Sequence, residues 1–174
     1  MSAVRRPWTR LAGAAMAGHV FFELGAGVGM PLASVLGPAP AAAFWATAMG
    51  AVQKAAGSPS RDTALAVVNG TSLAAAVGHL AGWPRRRTRL GLPWLTDCEG
   101  LGPELMRWYN PIIYAGGVAA AAALVSETPS APRWARLAPL LLVPALVRVQ
   151  HVEHERLRRL ALRRPGWWNR RLRT

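Results

Sequence analysis

His19 and Glu23 stand four residues apart in an apolar stretch, a spacing that puts an imidazole and a carboxyl on one face of a helix. The stretch runs from Leu11 to about Leu36, 26 residues, and Glu23 lies twelve residues into it. At about 1.5 Å per residue this predicts a carboxyl near the middle of a membrane. An ionised carboxylate there costs at least about 2.5 kcal/mol, so Glu23 has to be protonated, paired or in contact with water. A neutral acid in that position can donate a proton, which marks Glu23 as a candidate general acid with His19 as its partner. The run Gly25-Ala26-Gly27-Val28-Gly29 follows on the same helix. It has no strand before it, so it reads as close helix packing or room for a flat ligand, not as a phosphate loop.

The elements that must carry these groups are apolar blocks. Hydrophobic residues make up 52% of the 174 residues and gather in runs of Ala, Leu, Val and Gly, with the charges between them. That pattern predicts an all-α, integral membrane helical bundle of about five transmembrane helices. The blocks are 11–36, 41–56, 63–83, 108–125 and 134–149. Pro31 is expected to kink the first, and Pro139 and Pro144 make the fifth the least regular. Arg5-Arg6 before an apolar run resembles a signal peptide. The length of the run, its His19 and Glu23, and the lack of a small-residue cleavage site before Pro31 predict a retained helix. Residues 1–155 form one bundle domain in this reading, and 156–174 a basic amphipathic tail with Trp167-Trp168 at headgroup depth.

A net charge of +13 would suit a nucleic-acid binder, but the basic residues flank apolar blocks, which favours the bilayer as partner and not nucleic acid. In a five-span arrangement seven basic residues fall on one side and fourteen on the other. The positive-inside rule then predicts a multi-pass protein of the cell membrane with its N-terminus outside and its C-terminus in the cytoplasm. Arg5, Arg6 and Arg10 fit poorly outside, and a four-span arrangement with both ends inside is the alternative. The chain is compatible with a homo-oligomer.

In this topology many of the remaining polar residues converge on the cytoplasmic side. His79 ends the third helix, Asp97 and Glu99 lie in the 85–107 connection, Tyr109 and Asn110 open the fourth helix, and Gln150, His151, Glu153, His154 and Glu155 end the fifth. Glu99 is a candidate second acid–base group. His79, Asp97, Tyr109, Asn110, His151 and Phe22 are candidate substrate contacts, Phe22 because an aromatic face can stabilise a cation. His151, His154 and Glu155 have ligand-like spacing but not the HExxH order, so no metal is assigned. His19 and His79, expected at unequal depths, fit one haem poorly. The single cysteine, Cys98, is expected to be an inert thiol.

No nucleotide motif, cysteine cluster or nucleophile elbow is present, so no cofactor is expected. The expectation is an enzyme acting on an isoprenoid or other lipid-soluble, hydrophobic small molecule by protonation-initiated cyclisation or isomerisation. In general character this is similar to small membrane terpene cyclases and sterol isomerases, which also use acids inside a helical bundle. No motif matches residue by residue, so no role is taken from them. A non-catalytic accessory subunit and a small proton-coupled carrier are the competing expectations.

Overall fold

The computed structural model describes residues 6–173; Arg5, counted above among the outer basic residues, lies outside them. Five long helices carry the fold: α1 (Pro7–Ala26), α3 (Pro38–Ala55), α4 (Asp62–Gly82), α5 (Gly102–Ser126) and α7 (Val143–Arg163). Two short ones, α2 (Ala33–Leu36) and α6 (Arg133–Leu137), lie between them. α1 packs on α5 and α3, and α4 packs on α5 and α7, so α1, α4 and α5 meet in the middle. Small residues at these contacts (Ala12, Ala66, Ala74, Ala119, Ala120 and Ala123, all buried) let the helix backbones approach closely.

Among the described residues, three segments are long and apolar enough to cross a membrane: Pro59–Gly82, Gly102–Ser126 and Arg133–Arg163. The expected number was five. α1, with Arg10, His19 and Glu23 in it, and the shorter α3 are not among the three. The helical class stands, with one addition in the 85–107 connection. There β1 (Arg85–Arg87) pairs antiparallel with β2 (Pro93–Leu95) in the register Arg85 to Leu95, around a turn with Gly91 at φ 76°.

The first block differs most from expectation. α1 ends at Ala26, about ten residues early, and Pro31 kinks no continuing helix. Gly27 takes φ 87°, a left-handed conformation that favours glycine, and its N–H returns to the Glu23 and Leu24 carbonyls. The glycine run is therefore a helix stop and a docking point, not a packing face within a helix. The C-terminal segment lies on it: Gly29 N–H donates to the Trp168 carbonyl at 2.8 Å, and Arg171 N–H to the Gly27 carbonyl at 2.9 Å. Arg170 Nη2 donates to the Gly25 carbonyl at 2.8 Å, adding a cation at the helix C-terminus. Of the two tryptophans expected at an interface, Trp167 is exposed but Trp168 is buried with Leu172.

At the other end of α1 an ion pair accounts for an arginine expected on the outer side. Arg6, buried, donates to Asp62 Oδ1 at 2.5 Å and to the Glu127 and Ser58 carbonyls. Glu127 in turn accepts from the Trp8 and Thr9 N–H groups at 2.7 and 2.8 Å, capping α1 from the end of α5. The fifth block is broken as its prolines predict, by a 3-10 turn over Ala138–Leu142, after which α7 runs without interruption through residue 155.

Candidate functional site

Glu23 lies in the last turn of α1, not at the middle of a longer helix, and its side chain is fully enclosed. Because α1 and α4 lie side by side against α5, Glu23 meets three rings. His19 Nε2 is 3.8 Å from Glu23 Oε1, His79 Nε2 is 4.0 Å from the same oxygen, and Tyr109 donates its hydroxyl hydrogen to it. The two imidazoles sit edge to face with centroids 5.3 Å apart. The unequal depths expected of them are thus corrected, yet their direct contact leaves no room for a porphyrin between them. Glu23 Oε2 is buried without a hydrogen-bond partner among the described residues.

On the far side of the histidines lies a cavity of about 550 Å³ between α1, α3, α4 and α7. Its walls are mostly apolar, from Met16, Val20, Met30, Trp45, Val68 and Leu157 among others. The polar groups in them are His19, His79, Glu99, Gln150, Glu153 and His154, with Ser72 and Thr71. This is the size and mix of surfaces that ligand sites show, a largely apolar chamber with a few fixed polar groups. Glu23 is not part of the wall; His19 and His79 are.

Glu99 reaches the wall from the connection before α5, on a backbone at φ 53° that glycine would adopt more readily. Burial pushes its carboxyl up to about 8, and the neighbouring Glu153 carboxylate adds to the rise. Glu153 is held in place by the Ser34 hydroxyl at 2.5 Å and the Ser34 N–H at 3.1 Å. Cys98, next to Glu99, is buried 4.0 Å from the Tyr109 hydroxyl, and burial raises its thiol well above the usual range. Such a rise favours the neutral thiol over the reactive thiolate.

The other expected contacts are placed elsewhere. Asp97 accepts from the Gly102 N–H at 3.0 Å, capping the start of α5. Asn110 ties down β2 through the Leu95 N–H and carbonyl at 2.9 and 3.0 Å. His151 is exposed, lies on Trp83 with centroids 4.5 Å apart and reaches the Gly82 carbonyl. Phe22 packs on Tyr109 at 5.9 Å behind the site. Tyr109 joins the Glu23 cluster but not the cavity wall. The Met30–Leu32 turn and Ser34 were not foreseen at the site. They arrive there because α1 stops at Gly27, a stop that the glycine spacing alone could have suggested.

Together these features define a helical bundle in which a buried His–Glu–His cluster backs onto a large apolar cavity. No family model, no curated protein and no solved structure matches the chain.

Proposed function

We propose that the protein is a membrane-embedded enzyme that takes an isoprenoid or another lipid-soluble molecule into the 550 Å³ cavity and changes it by acid–base chemistry. The observation that carries this reading is a buried carboxyl, Glu99, and two imidazoles, His19 and His79, set in the wall of an otherwise apolar chamber. Glu99 is the acid–base group that faces the substrate. Glu23, enclosed behind the histidines, is a positioning residue and not the direct proton donor.

Gln150, Glu153 and His154 lie together on α7 and are the polar contacts for a substrate headgroup or hydroxyl. The remaining wall accepts hydrocarbon, which costs no desolvation of polar groups. In a bilayer the three long apolar segments span, α1 and α3 complete the bundle, and the basic α7 end and the Arg85–Arg87 hairpin face the cytoplasm. Reporter fusions at the two ends test this orientation, which requires the C-terminal reporter alone to be cytoplasmic.

The decisive experiment compares lipid and terpenoid extracts from cells expressing the native chain, Glu99→Gln or no protein. A species that depends on the native chain and disappears with Glu99→Gln supports the enzyme. Identical extracts, with Glu99→Gln present at native levels in the membrane, overturn it in favour of an accessory subunit or a carrier.

A further inference from the structure

His19, Glu23 and His79 belong to the proposed proton-handling site, and their arrangement has a second chemical meaning. One ligand atom of each, two imidazole nitrogens and a carboxylate oxygen, lies within 4.8 Å of the others, and all three residues are buried. Among the described residues Glu23 Oε2 has no hydrogen-bond partner, although Glu23 is 0% exposed. A buried carboxylate oxygen without a donor is costly, and the imidazole Nε2 atoms, 3.8 and 4.0 Å from the other oxygen, Oε1, offer it lone pairs and no charge when neutral. A cation held by the two imidazoles and by both oxygens of the Glu23 carboxylate resolves both.

We infer that His19, Glu23 and His79 form a binding site for a zinc-class divalent cation, with an open coordination position toward the cavity. Two imidazoles and one carboxylate are a donor set that zinc and neighbouring first-row ions take in open, reactive sites. Ligands about 2.0 Å from a tetrahedral ion stand about 3.3 Å from one another. The 3.8 and 4.0 Å separations need to close by about 0.5 and 0.7 Å, and the two imidazole nitrogens, within 4.8 Å of one another, by at most about 1.5 Å. Small rotations of three side chains achieve that.

The surroundings suit the ion. His79 Nδ1 lies 2.9 Å from the Ala75 carbonyl and 3.0 Å from Gln150 Nε2; in the tautomer with its proton on Nδ1 the ring donates to the Ala75 carbonyl and leaves its Nε2 lone pair 4.0 Å from Glu23 Oε1. Metal-binding histidines are held in this way. Tyr109 holds the carboxylate from behind. The ion carries two positive charges and Glu23 supplies one negative. Glu99, in a second group with His79 and Cys98 whose ligand atoms also lie within 4.8 Å, supplies another at short range once it gives up its proton. Because His19 and His79 form cavity wall and Glu23 lies behind them, the fourth position faces the cavity. Occupancy by a metal does not depend on whether the proposed reaction occurs.

The full chain, purified in detergent and stripped with a chelator, is titrated with Zn²⁺ and, as an optical probe, with Co²⁺. The expected result is one equivalent bound, with Co²⁺ visible bands of a four- or five-coordinate site and no thiolate charge-transfer band. His19→Ala, His79→Ala and Glu23→Gln should each weaken Zn²⁺ binding at least 100-fold, while Cys98→Ser leaves it unchanged. Failure of the folded native chain to bind a stoichiometric ion overturns the site. A Co²⁺ thiolate band, or full affinity in both His19→Ala and Glu23→Gln, does so as well. The native-chain stoichiometry and spectrum decide the matter even where a variant fails to fold.

Discussion

Tyr109 on α5 donates its hydroxyl hydrogen to Glu23 on α1, joining residues 86 positions apart in the chain inside a fully buried pocket. The contact fixes which way the carboxyl points and clamps the end of α1 to α5. In Tyr109→Phe, Glu23 loses its only hydrogen-bonding side-chain donor among the described residues. A loss of about 1–3 kcal/mol is expected. Equilibrium unfolding in mild detergent measures it, and unchanged or increased stability would count against the bond.

Glu99 makes a prediction about pH. Its folded carboxyl is pushed up to about 8 from an ordinary 4.5, so between these values the unfolded chain has released a proton that the folded chain keeps. The Glu99 contribution to stability is therefore fully present below about 4.5 and is lost as pH rises through about 8. In chelator-treated protein, unfolding midpoints should fall across this window, and Glu99→Gln should flatten the fall. A native chain whose midpoint is level from pH 5 to 9 would contradict it.

The Arg6–Asp62 pair should act as a clasp. Arg6→Ala leaves the Asp62 carboxylate buried with Ser130 alone as its remaining side-chain partner, and a loss of about 3–5 kcal/mol is expected. Replacing both residues by apolar ones of similar volume should restore much of that loss, because the pair's desolvation cost disappears with it. A double-mutant cycle reads the coupling, and strictly additive losses would show that the two charges act independently.

Gly27 is the point where α1 stops and the tail docks. A Cβ there would stand 2.7 Å from Arg170 Cγ on a backbone at φ 87°. Gly27→Ala should cost about 1–2 kcal/mol from the left-handed backbone alone. It should also loosen the C-terminal segment, so that trypsin cleaves after Arg170 or Arg171 faster than in the native chain. An unaltered cleavage rate would mean that the glycine does not secure the tail.

Part of the candidate site could be read from local signals. The four-residue spacing of His19 and Glu23 survives as a real contact, and of the polar residues expected to gather at one end, His79, Glu99, Gln150, Glu153 and His154 line the cavity while Asp97, Tyr109, Asn110, His151 and Glu155 do not. The roles were less legible. Asp97 and Asn110 are polar residues at the right end of the bundle, but they spend their hydrogen bonds on backbone, and sequence position does not distinguish a cap from a ligand contact. Glu23 is the reverse case. Its chemistry was apparent, but its place behind the histidines depends on how three helices rotate against one another.

What the sequence by itself determined is the helical class, the rough position of the five long helices and the excess of arginine around them. These follow from hydropathy, helical period and charge, each a property of residues close together in the chain. Tertiary structure alone decided that Glu23 meets Tyr109 and His79, that Arg6 finds Asp62, and that the tail seats on Gly27 and Gly29. Those pairings join distant residues through packing and buried hydrogen bonds. Their free energy depends on which surfaces meet once the helices assemble.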